Sequence, residues 1–302
     1  MGNDSSIEWT DATWNFVTGC TKVSSGCDHC YAERITERFH GKGAFAQVTL
    51  HPERLERPLR WRKPRRVFVN SMADVFHKDV PMEALARAWA VMAATPQHVY
   101  QILTKRHGRM HAVLSDPDGE FQGMVGEWRY LHGETDTTVP APEDPSWGWP
   151  LPNVHLGVSV EDQKHADLRV PVLEDTPAAV RFLSCEPLLG PVDLSSWLDT
   201  PLSCGCGVAP DAAPDWSGGC SAGCMVPEPS GLSWVIVGGE SGPGARPMRE
   251  AWVRSLVQQC QAARVPVFVK QMGSVWAGRG KGGDMDAWPA DLRVREFPEV
   301  AS

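Results

Sequence analysis

The chain has 302 residues, of which 42% are hydrophobic and 22% are charged. The length excludes a mini-protein and suits one large α/β domain or two ordinary ones. The proportions exclude a fibrous protein and a chain that is disordered throughout. The net charge of −8 argues against nucleic-acid binding through bulk basic charge but leaves room for a local basic groove, and the absence of an apolar run of about 18 residues predicts no membrane span.

Seven short apolar runs predict seven β-strands. In chain order they are residues 14–18, 66–70, 99–104, 153–160, 180–184, 234–237 and 266–270. Most are continuous apolar stretches, which is typical of parallel strands buried on both faces. We expect Pro81 at the first position of a helix, because apolar residues at helical spacing follow it, and the same spacing recurs over 252–263. This strand–helix alternation, without a glycine-rich nucleotide fingerprint after the first strand, favours a closed or partial (β/α) barrel over a doubly wound sheet.

Two stretches interrupt the alternation, and we interpret both as loop insertions in a single domain that spans residues 1–302. The first, at about 115–152, is rich in Gly, Pro, Trp and acidic residues. The second, at about 201–231, is rich in Gly, Pro, Ala and Cys. Neither pattern predicts a separate domain with a core of its own.

Nine cysteines are the unusual feature of the composition, and seven of them fall in two short clusters. This clustering favours metal binding over a disulfide framework. The first cluster follows the first strand and places Cys20, Cys27 and Cys30 in the pattern C-x6-C-x2-C. Three thiolates on one loop can bind three irons of a [4Fe–4S] cluster and leave the fourth iron open to a small molecule. Zinc is the alternative, with His29 or His40 as its fourth ligand.

The second cluster lies in the second insertion and has the spacing C-x-C-x13-C-x3-C. Its members are Cys204, Cys206, Cys220 and Cys224. Two close pairs of thiols favour a structural zinc knuckle, which would make an insertion with few apolar residues rigid. An auxiliary iron–sulfur cluster and disulfides are the other interpretations. Of the two single cysteines, Cys260 has a buried helical position, whereas Cys185 at a strand end belongs either to the core or to a pocket.

Six segments outside the insertions carry a family resemblance. They are 7–15 (IEWTDATWN), 68–77 (FVNSMADVFH), 103–106 (LTKR), 156–161 (LGVSVE), 182–190 (FLSCEPLLG) and 237–248 (VGGESGPGARPM). In these segments the chain resembles a phage-associated, three-cysteine-motif family of unknown function. Through its cysteine loop it resembles the radical S-adenosylmethionine (SAM) superfamily, although the C-x3-C-x2-C spacing that is commonest there has a shorter first gap.

The resemblance implies a partial (β/α) barrel of the radical SAM type with a [4Fe–4S] cluster on Cys20, Cys27 and Cys30. It also implies reductive cleavage of SAM to a 5′-deoxyadenosyl radical, with the electron supplied by a donor such as flavodoxin or ferredoxin. The candidate cofactor-binding residues flank the last cysteine or follow strands, and they are His29, Tyr31, Ser71, Asp74, Ser159, Glu161 and Glu186. Further strand-end candidates for a carboxylate or phosphate are Lys105, Arg106, Lys270 and Gln271.

The sequence indicates the substrate only broadly. The stretch from Arg54 to Arg66 contains seven basic residues, which form either a contact for phosphates or a partner, or a solvated basic face. With the phage association, it makes a nucleic acid or nucleotide our expected substrate, for repair or modification. The phage association adds a phage-encoded protein as a partner. The alternative function is that of a non-catalytic binding protein in which both cysteine clusters hold zinc. The N-terminus is polar and lacks the features of a signal peptide, so we expect a cytoplasmic protein without membrane partners.

Overall fold

Seven parallel strands form the main sheet of the computed structural model, which describes residues 5–131, 148–198 and 231–298. In order across the sheet they are β1 (Ala12–Trp14), β4 (Arg66–Val69), β5 (Val99–Thr104), β6 (Val154–Ser159), β7 (Val180–Cys185), β8 (Trp234–Gly238) and β9 (Val267–Gln271). A separate antiparallel pair contains β2 (Val17–Thr18) and β3 (Thr49–Leu50). The main strands follow chain order, so this sheet lacks the reversal of a doubly wound fold. The main sheet curls into a half-barrel, and this confirms the predicted architecture of a partial barrel.

Helices follow most of the strands. They are α1 (Tyr31–His40), α2 (Met82–Ala93), α3 (His107–Leu114), α4 (Glu120–Leu131), α5 (Gln163–Glu174), α6 (Ser195–Leu198), α7 (Glu250–Ala262) and α8 (Ser274–Ala277). The stripe predicted after Pro81 is buried in α2, although Pro81 is the N-cap and the helix begins one residue later. Cys260 is buried in α7, as predicted. Among the described residues, no helix combines the length and the apolar character that crossing a membrane requires.

The two faces of the sheet have different packing partners. On one face, strand residues such as Val69 and Val158 join helix residues such as Leu85 and Val253 in one large apolar cluster. Cys185 belongs to this helix-covered cluster, which answers whether it lies in the core or faces a pocket. On the other, concave face, a smaller cluster contains no helix residue and consists of Trp9, Phe68, Phe182, Trp234, Ile236 and Phe268. The inside of the half-barrel is therefore filled by aromatic side chains rather than by a helix.

The concave face changes from apolar to polar along the strands. Gly157 pairs with Phe182 in the middle of β6 and β7, and two residues later Ser159 pairs with Ser184. Both serines are buried at the carboxyl ends of their strands. Ligands of (β/α) barrels bind at this end of the sheet, so the polar end is where a site should be sought.

Gly157 leaves space for the aromatic cluster, and adding a methyl group there should be costly. A Cβ at this position would lie 2.5 Å from the Phe182 ring. We expect Gly157→Ala to lower the free energy of unfolding by about 1–3 kcal/mol, because a packed interior relaxes only in part. Gly123→Ala in α4 is the matched control, because a Cβ there would meet nothing within 4 Å. Alanine favours the helix over glycine, so this variant should raise the free energy of unfolding by about 1 kcal/mol. Urea unfolding of both variants checks this, and equal effects would contradict it.

The first predicted insertion is partly helical. Residues 120–131 form α4, which packs against α2 through the edge-on contact of Phe121 with Trp89. The remainder of both insertions includes residues 132–147 and 199–230, which lie outside the described residues. The four cysteines of the second predicted cluster therefore lie outside them as well, and their metal stays a prediction.

The first predicted strand, 14–18, divides into two. Only its start belongs to the main sheet as β1, whereas Val17 and Thr18 pair with β3. The N–H of Val17 donates to the side-chain oxygen of Asn70 at 3.0 Å, which draws this segment away from the sheet. Asn70 itself has a φ of 56°, a left-handed conformation that asparagine tolerates better than most residues.

Candidate functional site

The cysteine loop, residues 19–30, lies against the carboxyl edge of the sheet. Residues that follow four different strands contact it. Gly19 pairs with Ala73 after β4, and Arg106 after β5 donates to the Thr21 carbonyl at 2.9 Å. Glu161 after β6 and Glu240 after β8 bind the same loop. The parallel sheet therefore brings together residues that are more than 200 positions apart in the chain.

The three thiols of this loop are half-buried and free. Cys20 Sγ lies 3.7 Å from Arg106 Nη2, and Cys27 Sγ lies 4.0 Å from Ser24 Oγ. Burial raises the pKa of Cys20 and of Cys30, and negative charge on Cys27 raises both further. Cys27 thus lies within electrostatic reach of both other thiols. Since metals bind thiolates, loading this loop with metal should release protons.

The donor set suits a soft metal centre, and three sulfurs on one loop are what an iron–sulfur cluster with an open iron requires. In the part of the chain that the structure describes, no group of three or more Cys, His, Asp or Glu side chains is arranged to hold a metal ion. The Nδ1 atom of His29 bonds to Glu240 at 2.8 Å. His40 ends α1, ten residues after Cys30, and a helix rises about 1.5 Å per residue, or about 15 Å over this distance. His40 is thus too far along the helix to join Cys30 around one zinc ion.

Glu161 anchors the middle of the cysteine loop through a hydrogen bond to Ser24. It is fully buried, and its Oε1 atom accepts hydrogen bonds from Ser24 Oγ at 2.7 Å and from Lys105 Nζ at 2.5 Å. Its Oε2 atom accepts a bond from Arg169 Nη1 at 2.9 Å. Burial alone would raise the pKa of Glu161, but the two cations outweigh it and hold that pKa below its usual range. Gly26 packs directly on the carboxylate, because a Cβ there would lie 2.4 Å from Oε1.

Glu240 anchors the end of the loop. Its Oε2 atom binds His29 Nδ1 at 2.8 Å and the backbone N–H of Arg246 at 2.8 Å, and its Oε1 atom binds Arg246 Nη2 at 2.6 Å. Arg246 also donates to the Ser25 carbonyl at 2.9 Å. Burial opposes ionisation, but the bonds from Arg246 and His29 lower the pKa of Glu240 to about 2. The carboxylate therefore stays charged and holds both partners at neutral pH.

Glu240 should make the fold sensitive to acid. Its pKa of about 2 lies below the value of about 4.3 for an unfolded glutamate, so its stabilisation is present above about pH 4.5 and is lost as the pH falls towards 2. We expect stability to fall more steeply between about pH 5 and pH 3 in the wild type than in Glu240→Gln, in which this group cannot titrate. Urea unfolding across this range measures the difference, and parallel curves would contradict it.

Asp74 is held by protein donors on both oxygens. Its Oδ1 atom accepts bonds from Thr104 Oγ1 at 2.7 Å and from the Phe76 N–H at 3.0 Å. Its Oδ2 atom accepts the Lys105 N–H at 3.1 Å. These contacts favour a positioning role for Asp74, which links the loops after β4 and β5 and places Lys105 next to Glu161.

Tyr31 and Ser71 meet at the start of α1. The Tyr31 hydroxyl donates to the Ser71 carbonyl, while the tyrosine is 43% exposed overall. Ser71 Oγ donates to Asn15 Oδ1 at 3.2 Å. Burial of the hydroxyl raises the pKa of Tyr31, and negative charge on Cys30 and Glu186 adds to the effect. Tyr31 therefore offers an exposed ring surface within electrostatic reach of Cys30 and Glu186.

Glu186 and Lys270 form an ion pair at the same edge of the sheet, with 3.1 Å between Oε1 and Nζ. Their side chains are 15% and 19% exposed, so the pair is partly open to solvent. Ser184 Oγ donates to Glu186 Oε2 at 3.3 Å. Gln271, by contrast, is buried and donates to the Gly239 carbonyl at 2.7 Å, which is a structural contact. Ser159 is buried, and its carbonyl accepts a bond from Arg169.

Four residues of the site were not among the predicted candidates, namely Ser24, Arg169, Glu240 and Arg246. Arg169 had a usable signal, because it shares the buried face of α5 with Ala166 and Val170. An arginine on an apolar helix face needs a buried anion as its partner. Ser24 and Arg246 had no comparable signal, since each lies in a loop. Their contacts with Glu161 and Glu240, respectively, form only in the folded chain.

A family model described as "Protein of unknown function (DUF5131)" matches residues 4–288 of this chain. No curated protein matches the chain, and no solved structure matches it. The description of the matched family gives neither an activity nor a cofactor. The resemblance to radical SAM enzymes therefore stays a prediction that rests on the motifs.

Proposed function

We propose that this chain, which belongs to the DUF5131 family of proteins of unknown function, is a radical SAM enzyme. Cys20, Cys27 and Cys30 would hold a [4Fe–4S] cluster. One observation carries the proposal, namely three half-buried thiols on one loop at the carboxyl edge of a curled parallel sheet. Enzymes built on (β/α) barrels place their reactive groups at this edge.

When bound, the cluster and SAM would supply reductive cleavage of SAM and hydrogen abstraction from a substrate, with an electron from a donor such as flavodoxin or ferredoxin. The chain supplies rigidity, because the buried carboxylates Glu161 and Glu240 fix the middle and the end of the cysteine loop. A fixed loop keeps the thiols at constant positions while SAM and substrate bind. Holding the reacting groups in a fixed geometry is a major part of enzymatic rate acceleration.

The Glu186–Lys270 pair supports binding of the amino-acid part of SAM. An ammonium and a carboxylate on one ligand can replace the two protein partners of this pair, with Glu186 taking the ammonium and Lys270 the carboxylate. The exposed ring of Tyr31 lies near this pair and offers a flat apolar surface. These three residues are our proposed contacts to SAM.

Anaerobic purification tests the metal assignment. We expect a brown protein that absorbs at about 400 nm and contains about four irons per chain. The predicted quartet in the second insertion should add one zinc. A colourless protein whose only metal is zinc would overturn the proposal in favour of a zinc-stabilised binding protein.

A further inference from the structure

A shallow cavity of about 400 Å³, largely open to solvent, lies between the loop after β8 and the loop after β9. Its lining contains two cations, Arg279 and Lys281, together with Ser241, Ser274 and three glycines. The lining has neither a carboxylate nor an apolar side chain. The charge and hydrogen-bonding character of this cavity therefore suit an anion.

In residues 278–282, the backbone carbonyls and the backbone N–H groups differ in their hydrogen-bond partners. The Gly280 carbonyl accepts a bond from Ser274 Oγ at 2.6 Å. The carbonyls of 281 and 282 accept bonds from the N–H groups of Gly273, at 3.1 Å, and Met272, at 2.9 Å. Within the described ranges, the N–H groups of Arg279, Gly280 and Lys281 donate to no protein acceptor. Since the carbonyls bind the protein, the N–H groups are left to a ligand or to solvent.

The backbone conformation of the same segment fits an anion-binding nest. Gly278, Gly280 and Gly282 have φ values of 66°, 70° and 68°, whereas Arg279 and Lys281 between them do not have positive φ. Alternating signs of φ along a short segment are typical of a nest, in which successive N–H groups point towards one concave side. A Cβ at Gly278 or Gly280 would meet nothing within 4 Å, so the backbone conformation and not crowding requires glycine there.

Arg279 supplies the charge of this site. Its side chain is exposed, and it has no hydrogen-bond or ion-pair partner among the residues that the structure describes. Lys281 is already paired with Glu8. A free guanidinium offers a rigid fork of donors that matches the oxygens of a phosphate group. Several backbone donors beside it suit the three or four oxygens of phosphate better than the two of a carboxylate.

We propose that this cavity binds a phosphate group, carried by a nucleotide or by a nucleic-acid strand. The cavity shares the β8 loop with the site above, since Glu240 in that loop binds His29 and Arg34 of α1 donates to the Ser241 carbonyl at 3.0 Å. A phosphate held here lies at the same edge of the sheet as the cysteine loop. Its assignment as the substrate's phosphate rests on the proposed function, whereas the binding itself does not.

Calorimetric titration of the full chain, without SAM or reductant, tests the site. The probes are inorganic phosphate, a nucleoside 5′-monophosphate and a short single-stranded oligonucleotide. We expect saturable binding of phosphate, weakened about tenfold or more in Arg279→Gln because a charge-assisted contact is lost. Arg264→Gln, at an exposed arginine in the turn between α7 and β9, removes the same charge at the opposite edge of the sheet and should leave the affinity unchanged.

The probes also distinguish the two sources of phosphate. Tighter binding of the monophosphate than of the strand supports a nucleotide, and the reverse order supports a nucleic acid, provided that Arg279→Gln weakens the preferred probe. The proposal is overturned if none of the three probes saturates below about 10 mM, or if Arg264→Gln and Arg279→Gln weaken binding equally, as bulk charge would. Phosphate binding with no cleavage of SAM would overturn the proposed function alone.

Discussion

Glu161→Gln is expected to lower the free energy of unfolding by about 3–5 kcal/mol. The substitution keeps the shape of the side chain but leaves the Lys105 ammonium and the Arg169 guanidinium without their buried counter-charge. Breaking a buried ion pair from one side is costly because the remaining charge stays desolvated. The cysteine loop should loosen as well, since Ser24 and Gly26 both contact this carboxylate.

Urea unfolding at neutral pH measures this effect. Glu33→Gln is the matched control, because Glu33 also pairs with a cation of the cysteine loop, Lys22, but this pair is far more exposed, at 25% for Glu33 and 51% for Lys22. A surface pair of this kind contributes about 0–1 kcal/mol. Losses of similar size in the two variants would show that Glu161 does not anchor the loop.

The second large effect is expected from the cysteines. Single replacement of Cys20, Cys27 or Cys30 by alanine should remove the cluster and reduce SAM cleavage to the background rate. An iron that loses its protein ligand leaves the cluster labile, and the remaining two thiolates cannot hold it in a fixed position. Iron content and the absorbance at about 400 nm of anaerobically purified variants measure the loss.

Two other cysteines provide controls for this prediction. Cys260→Ala removes a thiol that is buried in α7 and should reduce stability without changing the iron content. Cys220→Ala falls in the predicted quartet and should remove zinc while iron is retained. Iron that survives replacement of all three loop cysteines, or that depends on Cys220, would contradict the assignment of the two clusters.

The strands were predictable because strands that are buried on both faces have nearly continuous apolar sequences. β5 has the predicted bounds, 99–104, and the other main strands after β1 differ by one residue at one or both ends. The division of the first strand could not be predicted, because it depends on a hydrogen bond from Val17 to Asn70, 53 positions away. Long-range contacts between a side chain and the backbone leave no periodic pattern.

The missed helix α4 did carry a signal. Phe121, Met124, Val125 and Trp128 have helical spacing, and the first and third of them are buried. Gly123 and Gly126 between them, and the Gly/Pro-rich sequence on both sides, weaken that pattern over a longer window. The local preference of these residues is modest, and packing against α2 decides the outcome.

The position of the cysteine loop was predictable, but its anchoring was not. The rule that loops after parallel strands meet at one edge placed Glu161 and the cysteines together. It did not separate Glu161, which is fully buried under the loop, from Asp74, which links two other loops. That difference depends on which donors fold against each carboxylate, and one of the decisive donors, Arg169, lies on a helix eight residues beyond Glu161.

The fate of SAM on the reduced protein decides whether this chain is a radical SAM enzyme. The iron-loaded full chain should be incubated anaerobically with SAM and dithionite, and the products separated by chromatography. We expect 5′-deoxyadenosine and methionine to form in amounts that depend on both the reductant and the cysteine loop. An iron-loaded, fully reduced protein that binds SAM but forms no 5′-deoxyadenosine above the level of the Cys27→Ala variant would contradict the proposed function.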